Sequence, residues 1–92
     1  MNRYKGFERV KDQDLVNAVS MMEKTLPRKL RGLRESMGLH LSEVARDTGI
    51  TKQAISLYET GVNCPTLQRA VILAAYYGVT VDWLIWDEGD TP

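Results

Sequence analysis

Residues 41–60, LSEVARDTGITKQAISLYET, predict two short helices joined by a tight turn. Gly49 follows the first helix, at the place where a helix end needs a residue that tolerates positive φ. Thr51 can cap the second helix, because its hydroxyl can accept a hydrogen bond from a free backbone N–H. Ile55 and Tyr58 lie three residues apart in that helix, so we expect both to face inward.

The small side chain of Ala45 allows the two helices to cross closely, and Ile50 is expected to point into the shared core. Two short helices arranged in this way form the helix-turn-helix motif, whose second helix lies in the major groove of DNA. The rest of the chain is expected to support this motif.

The composition is that of one ordinary globular domain. The chain has 92 residues, of which 43% are hydrophobic and 26% charged, enough for a modest core. No apolar run approaches the roughly 20 residues of a membrane span, and the N-terminus lacks the apolar core of a signal peptide. The single cysteine, Cys64, cannot form an internal disulfide. We therefore expect a cytoplasmic protein without a membrane partner, and a DNA-binding role of the predicted motif would make it nucleoid-associated.

The formal net charge is zero, but the charge is unevenly distributed. Residues 24–52 hold seven basic and three acidic side chains, a net charge of +4, whereas residues 53–92 hold one basic and five acidic side chains, a net charge of −4. Residues 1–23 are balanced. The basic half surrounds the predicted motif, which fits either a nucleic-acid partner or a mixed solvated surface.

The N-terminal part predicts an arm over residues 1–11 and then an amphipathic helix that starts at Asp12 or Asp14 and ends near Thr25. This helix carries an apolar stripe with spacings of four, three and four residues: Leu15, Val19, Met22 and Leu26. Val16 and Met21 broaden the stripe. It either packs on the chain's own core or forms the seam of a dimer.

Pro27 suits the first turn of a separate helix, which we expect to end at Gly38. Its inward residues are expected to be Leu30, Leu33 and Met37. His40 then stands at the cap position of the next helix, with Glu43 three residues later as half of a capping box.

Two further helices are predicted after the motif. The first of them carries an apolar face at helical spacing: Leu67, Ala70, Val71, Leu73, Ala74 and Tyr77. Gly78 ends this helix, and Thr80 or Asp82 can cap a short last helix with Trp83 and Trp86. Residues 87–92 form an acidic tail.

The segments RESMGLHLSEVA, TGITKQAIS, LYETG, CPT and LAAYYGVTVDWL, in this order, resemble the Cro/CI family of phage repressors and the wider XRE-type regulators. The resemblance covers about residues 28–86. It implies an all-α, five-helix lambda-repressor-like helix-turn-helix domain, here with an extra N-terminal helix. The expected division is an arm and amphipathic helix over 1–26, which would serve dimerisation, the DNA-binding domain over 27–86, and the tail over 87–92.

The function that this resemblance implies is a sequence-specific DNA-binding transcriptional regulator, a repressor of bacterial or prophage origin. It would bind an inverted-repeat operator in double-stranded DNA as a homodimer, through the helix at 51–60. The alternative is a protein-interaction module of the same fold, such as an antitoxin, anti-repressor or phage adaptor, that does not bind DNA.

An enzyme is not expected, and neither is a cofactor, a metal ion or a small-molecule ligand. The chain has one histidine and one cysteine, and it lacks a Gly-rich phosphate loop and paired carboxylates in a plausible cleft.

The resemblance places base reading at the start of the third core helix. A helix that enters the major groove end-on presents its N-terminal side chains to base edges. Lysine can donate to guanine, and glutamine can bridge adenine. The candidate base-reading residues are Lys52, Gln53, Ser56 and Leu57. Leu57 either meets a thymine methyl group or packs in the core.

Phosphate contacts are expected from helix N-termini and nearby polar groups. The candidates are His40, Ser42, Thr51, Asn63, Thr66 and Arg31, with Lys29 and Arg46 as longer-range clamps. Many members of the family have a glutamine where this chain has Leu41, which cannot grip a phosphate, so His40 or Ser42 would have to replace that contact. Affinity per subunit is therefore expected to be modest, which makes dimerisation more important.

The resemblance also implies that Arg34 and Glu59 form a structural ion pair that ties the first core helix to the end of the recognition helix. A partly buried charge at each position would need such a partner. The alternative is two independent exposed charges.

Overall fold

The structure is a computed structural model that describes residues 12–86, with side chains from residue 15 onward, and this part of the chain is all-helical. The helices are α1 Asp12–Ser36, α2 Leu41–Thr48, α3 Lys52–Thr60, α4 Leu67–Tyr77 and α5 Val81–Ile85. None of these helices combines the length and the apolar character required to cross a membrane. The predicted arm of residues 1–11 and the tail of residues 87–92 lie outside the described residues.

α1 is one continuous helix of 25 residues with Pro27 inside it, so the predicted break at Pro27 is wrong. The extra N-terminal helix is therefore the first part of α1. A proline in a helix interior costs about 3 kcal/mol, because it removes one N–H donor and its ring crowds the preceding turn. Leu26 and Leu30, on either side of the proline, are both buried. Each such leucine stabilises the fold by about 1.5–3 kcal/mol, so burial of the two is large enough to offset the cost of the proline.

The core forms where α1 and α4 enclose the helix pair α2–α3, with α5 closing one end. α1 packs against α3 and α5, and α2 packs against α3 and α4. The most deeply buried large side chains are Val44, Leu73 and Leu84. Ile50, Ile55 and Tyr58 lie in the same cluster, as the sequence predicts, and Ala45 packs against it.

Three residues that were expected to face inward are exposed instead: Met37, Leu67 and Val71. α1 ends at Ser36, and Met37 lies in the following turn, so it leaves the helical register of Leu30 and Leu33. In α4 the buried residues are Ala70, Leu73, Ala74 and Tyr77, a narrower stripe than predicted. Leu67 is the first residue of α4, at the edge of the domain, where the core has already ended.

The apolar stripe of α1 divides into two parts. Leu26 is buried in the core and Met22 packs against it, whereas Leu15, Val16 and Val19 remain 51%, 57% and 53% exposed. Neither alternative, packing on the chain's own core or forming a dimer seam, therefore applies to the whole stripe. Its last two residues pack on the chain's own core, and its first part stays uncovered in the single chain.

Lys29 is buried and does not reach the surface as a phosphate clamp, which corrects its sequence-based interpretation. Its Nζ donates hydrogen bonds of 2.6 Å to the backbone carbonyls of Trp83 and Trp86. The same nitrogen lies 4.5 Å from the centroid of the Trp83 ring, in cation–π geometry. The lysine thereby ties α1 to α5, whose last carbonyls attract a positive charge.

Candidate nucleic-acid interface

The turn between α2 and α3 has the geometry that residues 41–60 predict. Gly49 ends α2 at φ 76°, and its N–H donates to the carbonyl of Ala45 over 2.9 Å. Thr51 caps α3, since its hydroxyl oxygen accepts from the N–H of Ala54 over 3.2 Å. A second side chain stabilises the turn, because the hydroxyl of Thr48 accepts from the N–H of Ile50. The orientation of α3 is thus fixed within three residues of the end of α2.

α3 has a buried face and an outer face. Ile55 and Tyr58 are buried, which leaves the four candidate base-reading residues on the other side of the helix. Lys52, Gln53 and Leu57 are exposed, and Ser56 is half-buried. The structure therefore places Leu57 outside the core and decides against the packing alternative.

The amino end of α3 carries a charge of unusual sign. Helix N-termini favour acidic side chains, because the helix dipole is positive there. The first turn of α3 has no acidic residue and begins with Lys52. A basic residue at this position is repelled by the helix dipole and destabilises the helix by about 0.3–1 kcal/mol. Positions that disobey a local stability rule are frequently functional, and this concentration of positive potential suits an anionic partner.

Threonine hydroxyls stand at the amino ends of both α3 and α4. Thr66 caps α4 by accepting from the N–H of Arg69 over 3.2 Å, as Thr51 does in α3. In each cap the hydroxyl oxygen is used as an acceptor, so its proton remains able to donate to an outside group. Both threonines are exposed, and both can therefore donate to a phosphate oxygen while they continue to cap their helices.

The amino end of α2 has a histidine as its cap residue in place of a threonine. His40 is its N-cap, and its backbone N–H donates to the side chain of Glu43 over 2.9 Å. Ser42 is exposed on the first turn, whereas Leu41 is half-buried and packs against the core. The apolar side chain at position 41 thus contributes to packing, and Ser42 and the His40 side chain remain as candidate phosphate contacts.

Two of the basic candidates already have acidic neighbours. Arg31 Nε lies 3.3 Å from Glu35 Oε2, and Arg46 Nε lies 3.0 Å from Asp47 Oδ1, both at the surface. Asn63 is exposed in the loop after α3, and its backbone N–H donates to the carbonyl of Leu57. The ion pairs partly neutralise Arg31 and Arg46. Lys52, the first residue of α3, is the candidate cation at the amino end of that helix.

The predicted partners Arg34 and Glu59 form a two-pronged ion pair. Arg34 Nε and one terminal nitrogen donate to the two carboxylate oxygens of Glu59 over 2.8 and 2.9 Å. The side chains are only 14% and 5% exposed. The hydrogen bond to Glu59 raises the pKa of Arg34. The other terminal nitrogen of Arg34 donates to the carbonyl of Leu39, so this one side chain connects α1, the turn before α2, and α3.

Two tyrosine contacts that the sequence did not indicate fasten the helix pair to α4. Arg69 donates to the hydroxyl of Tyr58 over 2.7 Å, which ties α4 to α3. The hydroxyl of Tyr76 donates to Asp47 over 2.7 Å, which ties α4 to α2. That hydrogen bond, together with Arg46, lowers the pKa of Asp47, and it raises the pKa of Tyr76. No periodicity marks such contacts, because they join single polar atoms across elements.

The described residues contain no cluster of three or more His, Cys, Asp or Glu that could hold a metal ion. What the surface around α3 offers is a lysine, an amide, hydroxyls and one apolar side chain. These groups can recognise base edges and phosphates through hydrogen bonds and contact, without covalent chemistry.

Fold and surface together define a helix-turn-helix domain. The sequence profile of the helix-turn-helix family matches residues 30–84, which is more than half of the chain, and the chain belongs to this family. The match starts in the carboxyl half of α1 and ends in α5, so it includes most of the core, with Leu26 outside it. Proteins that resemble the chain include transcriptional regulators.

Two curated relatives are similar to the chain over just under 60 residues. One is the cryptic phage CTXphi transcriptional repressor RstR of Vibrio cholerae, 37% identical over 59 residues, which are 64% of this chain and 53% of the relative. The other is the uncharacterized HTH-type transcriptional regulator YobD of Bacillus subtilis (strain 168), 37% identical over 57 residues, which are 62% of this chain and 51% of the relative. The chain thus spans about half the length of these relatives. No solved structure matches the chain significantly.

Proposed function

We propose that the protein is a sequence-specific transcriptional repressor of bacterial or prophage origin, which binds an inverted-repeat operator as a homodimer. The observation that carries this proposal is the amino end of α3, where Lys52 and Gln53 are exposed on a helix whose other face is fixed in the core. The similarity to a phage repressor supports the same function.

In this proposal Lys52 donates to a guanine and Gln53 bridges an adenine in the major groove, with Ser56 and Leu57 one turn further along. His40, Ser42, Thr51, Asn63, Thr66 and Arg31 contact phosphates. Most of these phosphate contacts are neutral donors, so few counterions are released. The logarithm of the affinity of the dimer should change with the logarithm of the salt concentration with a slope of only about −2 to −4.

The homodimer would form through the uncovered part of α1. Leu15, Val16 and Val19 are about half exposed, and Val19 also borders a groove shared with Ile85 and Trp86 of α5. Binding to an inverted-repeat operator would require that the two α3 helices of this dimer enter successive major grooves, about 34 Å apart. Weak contacts of each subunit would then act together on one operator.

The experiment is selection of binding sites from random double-stranded DNA at low salt, followed by affinity measurements on the selected site. We expect a palindromic consensus. Replacing Lys52 and Gln53 together by alanine should abolish sequence preference without unfolding the domain, because both side chains are exposed. The matched control replaces Gln68 and Ile72 by alanine, two exposed residues of α4.

Retention of no DNA at micromolar protein would overturn the proposal and favour the alternative, a protein-interaction module of the same fold. An unchanged consensus in the Lys52→Ala, Gln53→Ala variant would leave DNA binding intact but remove the base-reading role of these two residues.

A further inference from the structure

The outer face of α1 carries a pair of basic residues, Lys24 and Arg28. They are four residues apart, so they are neighbours on one side of the helix, and both are exposed. In the part of α1 whose side chains are described, the two acidic residues have other neighbours. Glu35 is paired with Arg31, and Glu23 borders a groove between α1 and α3. The surface around the basic pair is therefore positively charged.

The chain that follows α5 starts next to this basic pair. α5 ends at Ile85, and the carbonyl oxygen of Trp86 accepts a hydrogen bond of 2.6 Å from the Nζ of Lys29. Lys29 directly follows Arg28 in α1, and the helix rises by only about 7.5 Å between Lys24 and Lys29. Trp86, the last described residue, is thereby fastened to the stretch of α1 that carries the basic pair.

The sequence of residues 87–92, DEGDTP, is complementary in charge to the basic pair. It contains Asp87, Glu88 and Asp90 and no basic residue. Six residues span at most about 20 Å, so their carboxylates can reach the basic pair from the anchored Trp86. The attraction acts within one chain, where the effective concentration of a short tethered segment is in the millimolar range.

We propose that residues 87–92 dock on α1 of the same chain, with their carboxylates against Lys24 and Arg28, and thereby shield this surface from other polyanions. The occupant belongs to the same chain because the hydrogen bond of Trp86 already brings this segment to the site. In a DNA-binding regulator the shielding would reduce contact with phosphates outside the operator. That consequence rests on the proposed function, whereas the docking itself does not depend on it.

The docking is tested by paramagnetic labelling of the full chain. A chain with Cys64→Ser and Thr91→Cys carries a nitroxide at residue 91, and NMR records how strongly the label broadens the amide signals of residues 24–28. We expect strong broadening at low salt and a marked loss of it at about 1 M salt, where charges more than about 3 Å apart are screened.

Variants of the labelled chain show whether the basic pair holds the segment. Lys24→Gln with Arg28→Gln should reduce the broadening at low salt to its high-salt level. Arg46→Gln is the matched control, because Arg46 is an exposed arginine of α2, and it should leave the broadening unchanged. Broadening that is insensitive both to salt and to the loss of the basic pair would overturn the docking.

A mixed sample identifies the chain to which the docked segment belongs. It contains labelled chains without ¹⁵N and ¹⁵N-enriched chains without the label, so broadening arises only between chains. We expect little broadening in this sample. Broadening as strong as in the doubly prepared chain would place the segment on a second copy and overturn docking within one chain.

The shielding is measured with heparin as the polyanion. Asp87→Asn, Glu88→Gln and Asp90→Asn together should strengthen heparin binding about fivefold, the factor that corresponds to two exposed ion pairs. In a chain that also carries Lys24→Gln and Arg28→Gln, the same three changes should have almost no effect. An equal gain in both chains would show that only net charge matters and would overturn the shielding. Failure of the proposed function would look different, because the protein would then retain no DNA while the NMR and heparin results stayed the same.

Discussion

The two halves of α1 carry the same kind of apolar stripe but differ in what covers it. In the carboxyl half, residues 25–36, Leu26 and Leu30 are buried against α3 and α5, and Lys29 and Arg34 have partners on other elements. In the amino half, residues 15–21, Leu15 and Val19 are about half exposed. A helical stripe thus shows which side of a helix is available for burial, but not whether its partner belongs to the same chain.

Arg34→Met should give the largest loss, because it leaves Glu59 as an unpaired charge that is 5% exposed. Removing one partner of such a pair destabilises by about 3–5 kcal/mol, measurable by urea unfolding. The double variant Arg34→Met, Glu59→Leu should recover most of this loss. The control, Arg31→Met, breaks the exposed pair with Glu35 and should cost less than about 1 kcal/mol. Equal losses for Arg34→Met and Arg31→Met would show that burial of the pair is unimportant.

Leu26→Ala compares the two halves directly. It should destabilise the domain by about 2–5 kcal/mol, since it empties part of the core around α1 and α3. Leu15→Ala removes the same group from the amino half and should change the stability of the monomer by less than about 0.5 kcal/mol. Unfolding at low protein concentration measures both. Similar losses would mean that the amino half is covered within the single chain.

Lys29→Met should cost about 2–3 kcal/mol, because two short hydrogen bonds from a charged donor to the carbonyls of Trp83 and Trp86 are lost. Lys24→Met, at an exposed position of the same helix, is the control and should be nearly neutral. Trp fluorescence reports on the end of α5 during unfolding. An unaffected midpoint for Lys29→Met would mean that methionine packs as well as the buried lysine does.

Local signals were sufficient to predict the helix-turn-helix pair. Gly49 and Thr51 act through chemistry within their own turns, so the sequence pattern specifies both ends of the α2–α3 connection. The break at Pro27 was predicted from local preference too, and there the core on both sides of the proline decides the outcome. The predicted burial of Met37 and Leu67 is wrong for a related reason, since periodicity does not show where the core ends.

Long-range polar contacts also include one that was predicted and one that was not. The Arg34–Glu59 pair was expected from the resemblance alone, whereas the buried state of Lys29 had no sequence signal. In the sequence, Lys29 stands beside other basic residues and cannot be distinguished from a surface lysine. Only the folded structure shows that a carbonyl of α5 lies next to it. The roles of the candidate site residues toward DNA stay predictions, because they depend on a partner outside the chain.

Tyr77→Phe should have a small effect at neutral pH and a larger one in alkali. Among the described buried side chains, the hydroxyl of Tyr77 lacks a hydrogen-bond partner, so its removal should be neutral or stabilise by up to about 1 kcal/mol.

Burial raises the pKa of Tyr77 to about 12 from an ordinary value of 10.0. The unfolded chain therefore releases this proton at lower pH than the folded chain does. The stability that depends on Tyr77 is complete below about pH 10 and falls as the pH rises toward 12. Urea unfolding at pH 8 to 11 should show a shallower decline for Tyr77→Phe than for the wild type. Parallel declines would contradict the burial of this hydroxyl.

Val19→Ser should leave the stability of the monomer within about 0.5 kcal/mol and yet change its association. Val19 lies in the middle of the uncovered part of α1 and borders the groove with Ile85 and Trp86, so a hydroxyl there would be desolvated in a dimer but not in a monomer. Sedimentation velocity over a range of protein concentrations should show the wild type as a dimer and Val19→Ser shifted toward monomer. Val71→Ser, a similarly exposed valine of α4, should sediment as the wild type does. If all three proteins sediment as dimers, the dimer seam lies elsewhere on the chain. If all three sediment as monomers, the proposed homodimer is wrong, and the exposed apolar side chains of the amino half of α1 have a different role.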